Sequence, residues 1–224
     1  MNSIILFVIG TALGSFISLV IQRANRSESI IFPRSHCDQC RTPLKPVDLI
    51  PIVSYLSLKG RCRYCKSVIN RELITNEFIF GGAFILQSYF NFNWLIFISI
   101  LILITLSIID NQKLTVPTIL IIILLIINVT HYLIFNGGNL ILLIILLGAY
   151  LVVQSLNYFT IKIGCGDIDV LFIVGLIIGF SGILTLLMLA TTTALIYAWL
   201  FAKQKRIAFI PFITIGYLFN LIFM

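Results

Sequence analysis

The chain has 224 residues, 60% of them hydrophobic and only 10% charged, with a formal net charge of +7. A soluble domain carries about 25% charged residues, so a water-soluble globule is excluded, as are a disordered chain and a disulfide-stapled mini-protein. Charge-free runs cover residues 1–22, 78–109, 114–161, 170–202 and 207–224, and a bilayer-spanning helix needs only about 20 apolar residues.

The pattern therefore predicts an all-α polytopic membrane protein. The longer runs carry polar breaks at Asn91-Phe92-Asn93, Asn136-Gly137-Gly138-Asn139 and Ser181-Gly182. Read as helical hairpins, they give about eight transmembrane helices, near 3–22, 73–90, 94–110, 116–135, 139–158, 168–180, 183–202 and 207–223. The sixth span is short and reads as tilted or re-entrant. Residues 1–22 lack a basic n-region and an A-x-A-like site, so they read as a retained first transmembrane helix. Ten of the fifteen Lys and Arg lie in 23–72, and all fifteen fall on one side of this topology. By the positive-inside rule that side is cytoplasmic, with both termini outside. The organisation is then a first helix (1–22), a cytoplasmic loop (23–72) and a helical membrane domain (73–224). No repeat of 20–50 residues is evident.

The loop carries Cys37-x2-Cys40 and, 21 residues later, Cys62-x2-Cys65. Two such knuckles can close four thiolates tetrahedrally on zinc. A pair of disulfides is the alternative, disfavoured in a reducing cytoplasm. Zinc binding also supplies the folding free energy that a 50-residue loop with few large apolar side chains lacks. Basic neighbours (Arg41, Arg61, Arg63, Lys66) are expected to favour the thiolates. Four thiolates leave no open position, so the metal is structural. His36 reads as a loop residue, and Cys165 as a small packing residue.

Of eight acidic residues, Glu77, Asp110, Asp167 and Asp169 lie outside the loop. Asp110 ends the third span, and Asp167 opens the sixth within Gly164-Cys165-Gly166-Asp167. The topology puts both at cytoplasmic helix ends, where an ionisable group at membrane depth is a functional-site signal. Two close carboxylates share a proton, so one activates water while the other protonates a scissile carbonyl. The flanking Gly164 and Gly166 permit close backbone approach beside the second acid. The structural alternative is helix capping or pairing with Lys113 and Lys162. Gly10-x3-Gly14 reads as close helix packing, and His131 as an interfacial residue at an outer helix end.

Taken together, the chain resembles the prepilin peptidases, the type IV leader peptidases of the GxGD aspartic class. The resemblance rests on Gly10-x3-Gly14-Ser15-Phe16, Pro33-Arg34-Ser35-x-Cys37-x2-Cys40, Asp48-Leu49-Ile50-Pro51-x2-Ser54-Tyr55 and Gly60-Arg61-Cys62-Arg63-x-Cys65. Asp110-x5-Val116-Pro117, Gly164-Cys165-Gly166-Asp167, Glu77-x3-Gly81 and Ala208-Phe209-x-Pro211-Phe212 complete it. It implies a membrane protease, with Asp110 and Asp167 catalytic, that removes the short basic leader from type IV prepilins or competence pseudopilins at the cytoplasmic face. Many members then N-methylate the new amino terminus with S-adenosylmethionine. The compact chain resembles the competence-type enzymes.

Two positions depart from the family pattern, Thr118 after Pro117 and Asp169 where Lys is common. The loop's basic charge should repel a basic leader and favour anionic lipid, which leaves Glu77 and Asp169 as the acids to bind that leader. Glu77 reads alternatively as a first-turn helix acid. Asp169 needs its own partner, with Lys113 or Lys162 available. Prepilins and membrane lipids are the partners implied, without nucleic acid. The alternatives are a non-catalytic zinc-bearing scaffold and a presenilin-like GxGD intramembrane protease, which lacks the four-cysteine loop.

Overall fold

A computed structural model describes residues 3–90, 93–135, 140–159, 164–201 and 207–223. The described chain is helical, with short bridges as its only extended pairing. It divides into two compact units, Met1–Asn91 and Phe92–Met224.

In the N-terminal unit, α1 (Ser3–Asn25) packs along α3 (Arg71–Phe90). Small residues set the approach: a Cβ on Gly10 would lie 2.7 Å from the Phe80 carbonyl oxygen, and one on Gly14 2.9 Å from the Phe80 side chain. Asn76 donates to Ser18 Oγ across the same seam at 3.0 Å. Interhelical bonds of this kind join helices where apolar burial alone gives no preference. Between the two helices run the cysteine loop, a 3₁₀ turn (Pro46–Leu49) and the short α2 (Val53–Ser57).

The C-terminal unit contains α4 (Trp94–Lys113), α5 (Thr118–Phe135), α6 (Leu140–Phe159), α7 (Cys165–Phe201) and α8 (Ile210–Phe223). α4 packs on α5 and α8, and α7 on α5, α6 and α8. Polar pairs pin the seams: Asn128 donates to Ser99 at 3.0 Å, Ser107 meets Thr214 at 2.8 Å, and Thr185 donates to Asn220 at 2.6 Å. Asn93 caps α4 by accepting the Leu95 amide.

By length and composition, Ser3–Asn25, Trp94–Lys113, Thr118–Phe135 and Cys165–Leu200 are long and apolar enough to cross a membrane, and Ile210–Phe223 is apolar but shorter. The protein is therefore a helical membrane protein. The predicted sixth and seventh spans form one helix by hydrogen bonding, broken at Gly179 with φ 71° and ψ 179°. Only glycine adopts that backbone region readily. The break thus precedes the predicted Ser181-Gly182, because Gly182 is buried where a Cβ would meet Ile178 at 2.8 Å. The other two predicted breaks lie almost wholly outside the described residues. His131, near the end of α5, is buried and stacked on Phe135 at 4.9 Å.

Candidate active site and metal centre

The two knuckles are conformational copies. Cys37 N–H donates to Thr42 O and Leu44 N–H to Ser35 O; Cys62 N–H donates to Ser67 O and Ile69 N–H to Gly60 O. Each turn closes through a left-handed basic residue, Arg41 at φ 57° and Lys66 at φ 61°. A 25-residue repeat is thus present where none was evident, because few side chains besides the cysteines are identical. The sulfur atoms of Cys37, Cys40, Cys62 and Cys65 all lie within 4.8 Å of one another. Cys37 and Cys65 are 3.8 Å apart, close to the edge of a tetrahedron with Zn–S bonds of about 2.3 Å. The cluster could hold a metal such as zinc.

The cause of thiolate character differs from the expected basic neighbours. The Cys40 backbone amide, then Gln39 and Ser67, bring the Cys37 thiol down to about 6. The Ser67 hydroxyl and amide lower Cys65. Knuckle amides pointing at sulfur stabilise the anion directly. His36 sits apart from the four sulfurs, its ring nitrogens contacting the Arg34 carbonyl and the Arg41 guanidinium.

Acids in this unit have committed partners. Asp48 receives Arg63 Nε at 2.7 Å and the Lys45 amide at 3.2 Å, and its carboxyl is held below the usual range mainly by that arginine. Asp38 pairs with Arg26 at 2.6 Å. Glu77, buried in the second turn of α3, accepts the Ile52 amide at 2.7 Å. It thereby fixes Ile52 at φ 60° and launches α2. That task was not readable from the sequence, since Ile52 lies 25 residues away.

In the C-terminal unit, Asp110 lies buried in the last turn of α4, and its Oδ2 accepts the Ile210 amide at 3.2 Å. The closing motif around Phe209 and Pro211 therefore starts α8 on this carboxylate. Leu114, left-handed at φ 54°, ends α4 by donating to the Asp110 carbonyl at 2.8 Å. The chain then turns back through Val116 and Pro117. Asp167, half-buried in the first turn of α7, donates its amide to the Gly164 carbonyl at 3.0 Å. Gly166 packs on Val116 so closely that a Cβ would lie 2.7 Å from Val116 Cγ2. This contact packs the two aspartate motifs against each other. Among the described residues neither aspartate forms an ion pair.

Among the described residues Asp169 is held by α6. Tyr150 O–H donates to its Oδ1 at 2.5 Å and Gln154 Nε2 to the same oxygen at 2.6 Å. The two donors are one helical turn apart and so reach one acceptor. Lys113 is exposed on α4, while Lys162 lies outside the described residues. Cys165 is exposed on the first turn of α7.

Residues 8–91 match the family model for the bacterial peptidase A24 N-terminal domain. Over 209 residues the chain is 31% identical to the prepilin leader peptidase/N-methyltransferase of Klebsiella pneumoniae, covering 84% of this chain and 90% of that one. Its counterpart in Bacillus subtilis (strain 168) is 29% identical over 228 residues, covering 95% and 90%. The Neisseria gonorrhoeae protein of that name is 27% identical, covering 93% and 86%. No solved structure matches. A family-specific N-terminal domain and similarity through nearly the whole chain make one conclusion: this protein belongs to the prepilin leader peptidase/N-methyltransferase family.

Proposed function

We propose that the protein is an aspartic membrane endopeptidase of the GxGD type that removes the short basic leader of prepilins or competence pseudopilins. The observation that supports this is the Val116–Gly166 contact, which packs the Asp110 motif against the Asp167 motif within one helical unit. Two carboxylates so placed, neither ion-paired among the described residues, share a proton and titrate as a pair. The ionised member takes a proton from water, whose oxygen attacks the scissile carbonyl carbon. The protonated member gives its proton to the carbonyl oxygen, and the tetrahedral species collapses with breakage of the C–N bond and protonation of the leaving amine. The Ile210 amide on Asp110 Oδ2 fixes that carboxylate's orientation.

The topology proposed with it has eight spans, the seven long helices α1 and α3–α8 with α7 counted twice about Gly179. It sets the cysteine loop and both aspartates on the cytoplasmic side of the plasma membrane. Functionally, 1–22 is the first span, 23–72 the metal loop and 73–224 the catalytic domain, although α3 packs with α1. Cys37, Cys40, Cys62 and Cys65 hold structural zinc, which would supply folding free energy to the loop.

Methylation of the new amino terminus is the second activity, supported by the similarity to prepilin leader peptidase/N-methyltransferases. S-adenosylmethionine would supply the methyl group. The N-terminal unit offers it a cavity of about 350 Å³ bordered by Tyr55, Glu28 and Leu19, within the range of small-molecule sites. Asp169, whose Oδ1 accepts from Tyr150 and Gln154, and Glu77, whose Oε2 accepts from Ile52, are the acids that would meet the basic leader.

The test is processing of a basic-leader pseudopilin in membranes with matched enzyme levels. Wild type should release a shortened product, and Asp110→Asn and Asp167→Asn should not. Cleavage persisting in either variant would remove that residue from the dyad, and a wild type inert toward every prepilin offered would favour the scaffold.

A further inference from the structure

Two apolar segments of the N-terminal unit point outward although the backbone beneath them is tightly held. Ile31 and Phe32 are 76% and 75% exposed. Their loop is ordered by Arg23, a buried residue in the last turn of α1, which donates to the carbonyls of Ser29, Ile30 and Pro33 at 2.9, 2.9 and 2.7 Å. Ser29 Oγ accepts the amides of Ile31 and Phe32 from below. The second segment is α2, where Val53 and Leu56 are 60% and 62% exposed. It is held by Glu77, buried in α3, through the Ile52 amide at 2.7 Å.

In both places a buried charge near the end of a long helix clamps loop backbone and turns apolar side chains outward. A water-facing loop gains nothing from such an arrangement. The clamp also fixes depth: Arg23 lies in the helix that runs from Ser3 to Asn25, long and apolar enough to cross a membrane, so the tip it holds stays where that helix leaves the bilayer. Exposed Arg34, Lys45, Lys59 and Arg61 belong to the same unit. Apolar side chains beside cations are the composition that seats a surface in the headgroup layer.

We propose that the metal-binding loop lies in the membrane interface, with Ile31–Phe32 and Val53–Leu56 inserted among the lipids as its two feet. The occupant of both apolar surfaces is lipid of the bilayer that α1 crosses. This rests on the spanning reading of α1, and the experiment separates the two.

The full chain would be reconstituted, zinc-loaded, in anionic bilayers whose acyl chains carry bromine, a short-range quencher of tryptophan. Val8→Trp, on the exposed face of α1, made with Trp94→Phe and Trp199→Phe, reports first. Its quenching tests the spanning reading of α1, and its absence would remove both that reading and the proposal. Phe32→Trp and Val53→Trp are then made separately with Trp94→Phe and Trp199→Phe. Each reporter should lose roughly half or more of its emission in brominated bilayers and little to aqueous acrylamide, as for a side chain below the headgroups. Quenching by acrylamide alone, or by neither agent, would overturn the proposal, since the reporter would then face water or protein. The two positions guard against one variant failing to fold.

Discussion

The two units treat their carboxylates in opposite ways. In the N-terminal unit Asp38 is paired with Arg26, Asp48 with Arg63 and the Lys45 amide, and Glu77 with the Ile52 amide. Each of these three acids has a structural task, beside the four-cysteine cluster. In the C-terminal unit Asp169 is likewise held, by Tyr150 and Gln154. Asp110, however, meets backbone at the start of α8, and the Asp167 motif packs against its own. Neither Asp110 nor Asp167 forms an ion pair among the described residues. A carboxylate already neutralised by arginine has little left to give a substrate, whereas a pair without a cation is poised for proton transfer. The contrast separates scaffold from chemistry in a chain where both carry the same side chains.

The largest expected effect is on the chemistry side. Asp110→Asn and Asp167→Asn should each lower leader cleavage by about 10³-fold or more, read as product formed per enzyme, with membrane insertion unchanged. Next is the metal: Cys62→Ser should abolish stoichiometric zinc by elemental analysis and unfold the loop, because zinc sites supply much of the folding energy of such modules. It should leave α4–α8 protected in hydrogen exchange.

Gly166→Ala should cost about 1–3 kcal/mol of overpacking against Val116 and slow cleavage by about tenfold or more. Val116→Ala in the same chain should restore part of the rate. An effect of Gly166→Ala that Val116→Ala leaves untouched would place its cause elsewhere.

A smaller effect separates the units by pH. Arg63 chiefly holds Asp48, and Arg26 holds Asp38, below the usual carboxylate range. A depressed folded pKa adds stability that is present above the unfolded value of about 3.9 and is lost as pH falls through the folded value. Acidification below about pH 4 should therefore loosen the N-terminal unit, and Asp48→Asn should flatten that dependence while weakening the unit at neutral pH. Smallest of all, Asp169→Asn should raise KM for basic leaders a few-fold and leave neutralised leaders unaffected. Equal change for both would end its role as leader acid.

Much of this was legible before any coordinate. Charge-free runs marked the long helices, and the spacing of Cys37, Cys40, Cys62 and Cys65 marked their cluster, because both signals are local and redundant. Gly10 and Gly14 were readable as a packing seam for the same reason. What escaped depended on distant backbone. The amide that Glu77 accepts belongs to Ile52 and the acid that starts α8 is Asp110; no side-chain pattern encodes a main-chain donor. The Tyr150 and Gln154 donors to Asp169 also escaped, since a neutral tyrosine on an apolar helix carries no sign in a charge count. The break at Gly179 was misplaced by two residues because Ser181-Gly182 looked more polar, while the backbone angle decides.

The central claim is that Asp110 and Asp167 act as one unit, and the most direct measurement is the cleavage rate of the double variant beside each single one. Groups that work together are non-additive. The account predicts that Asp110→Asn, Asp167→Asn and the double variant share the same residual rate. Losses that multiply in the double variant, or cleavage that survives in either single one, would contradict it.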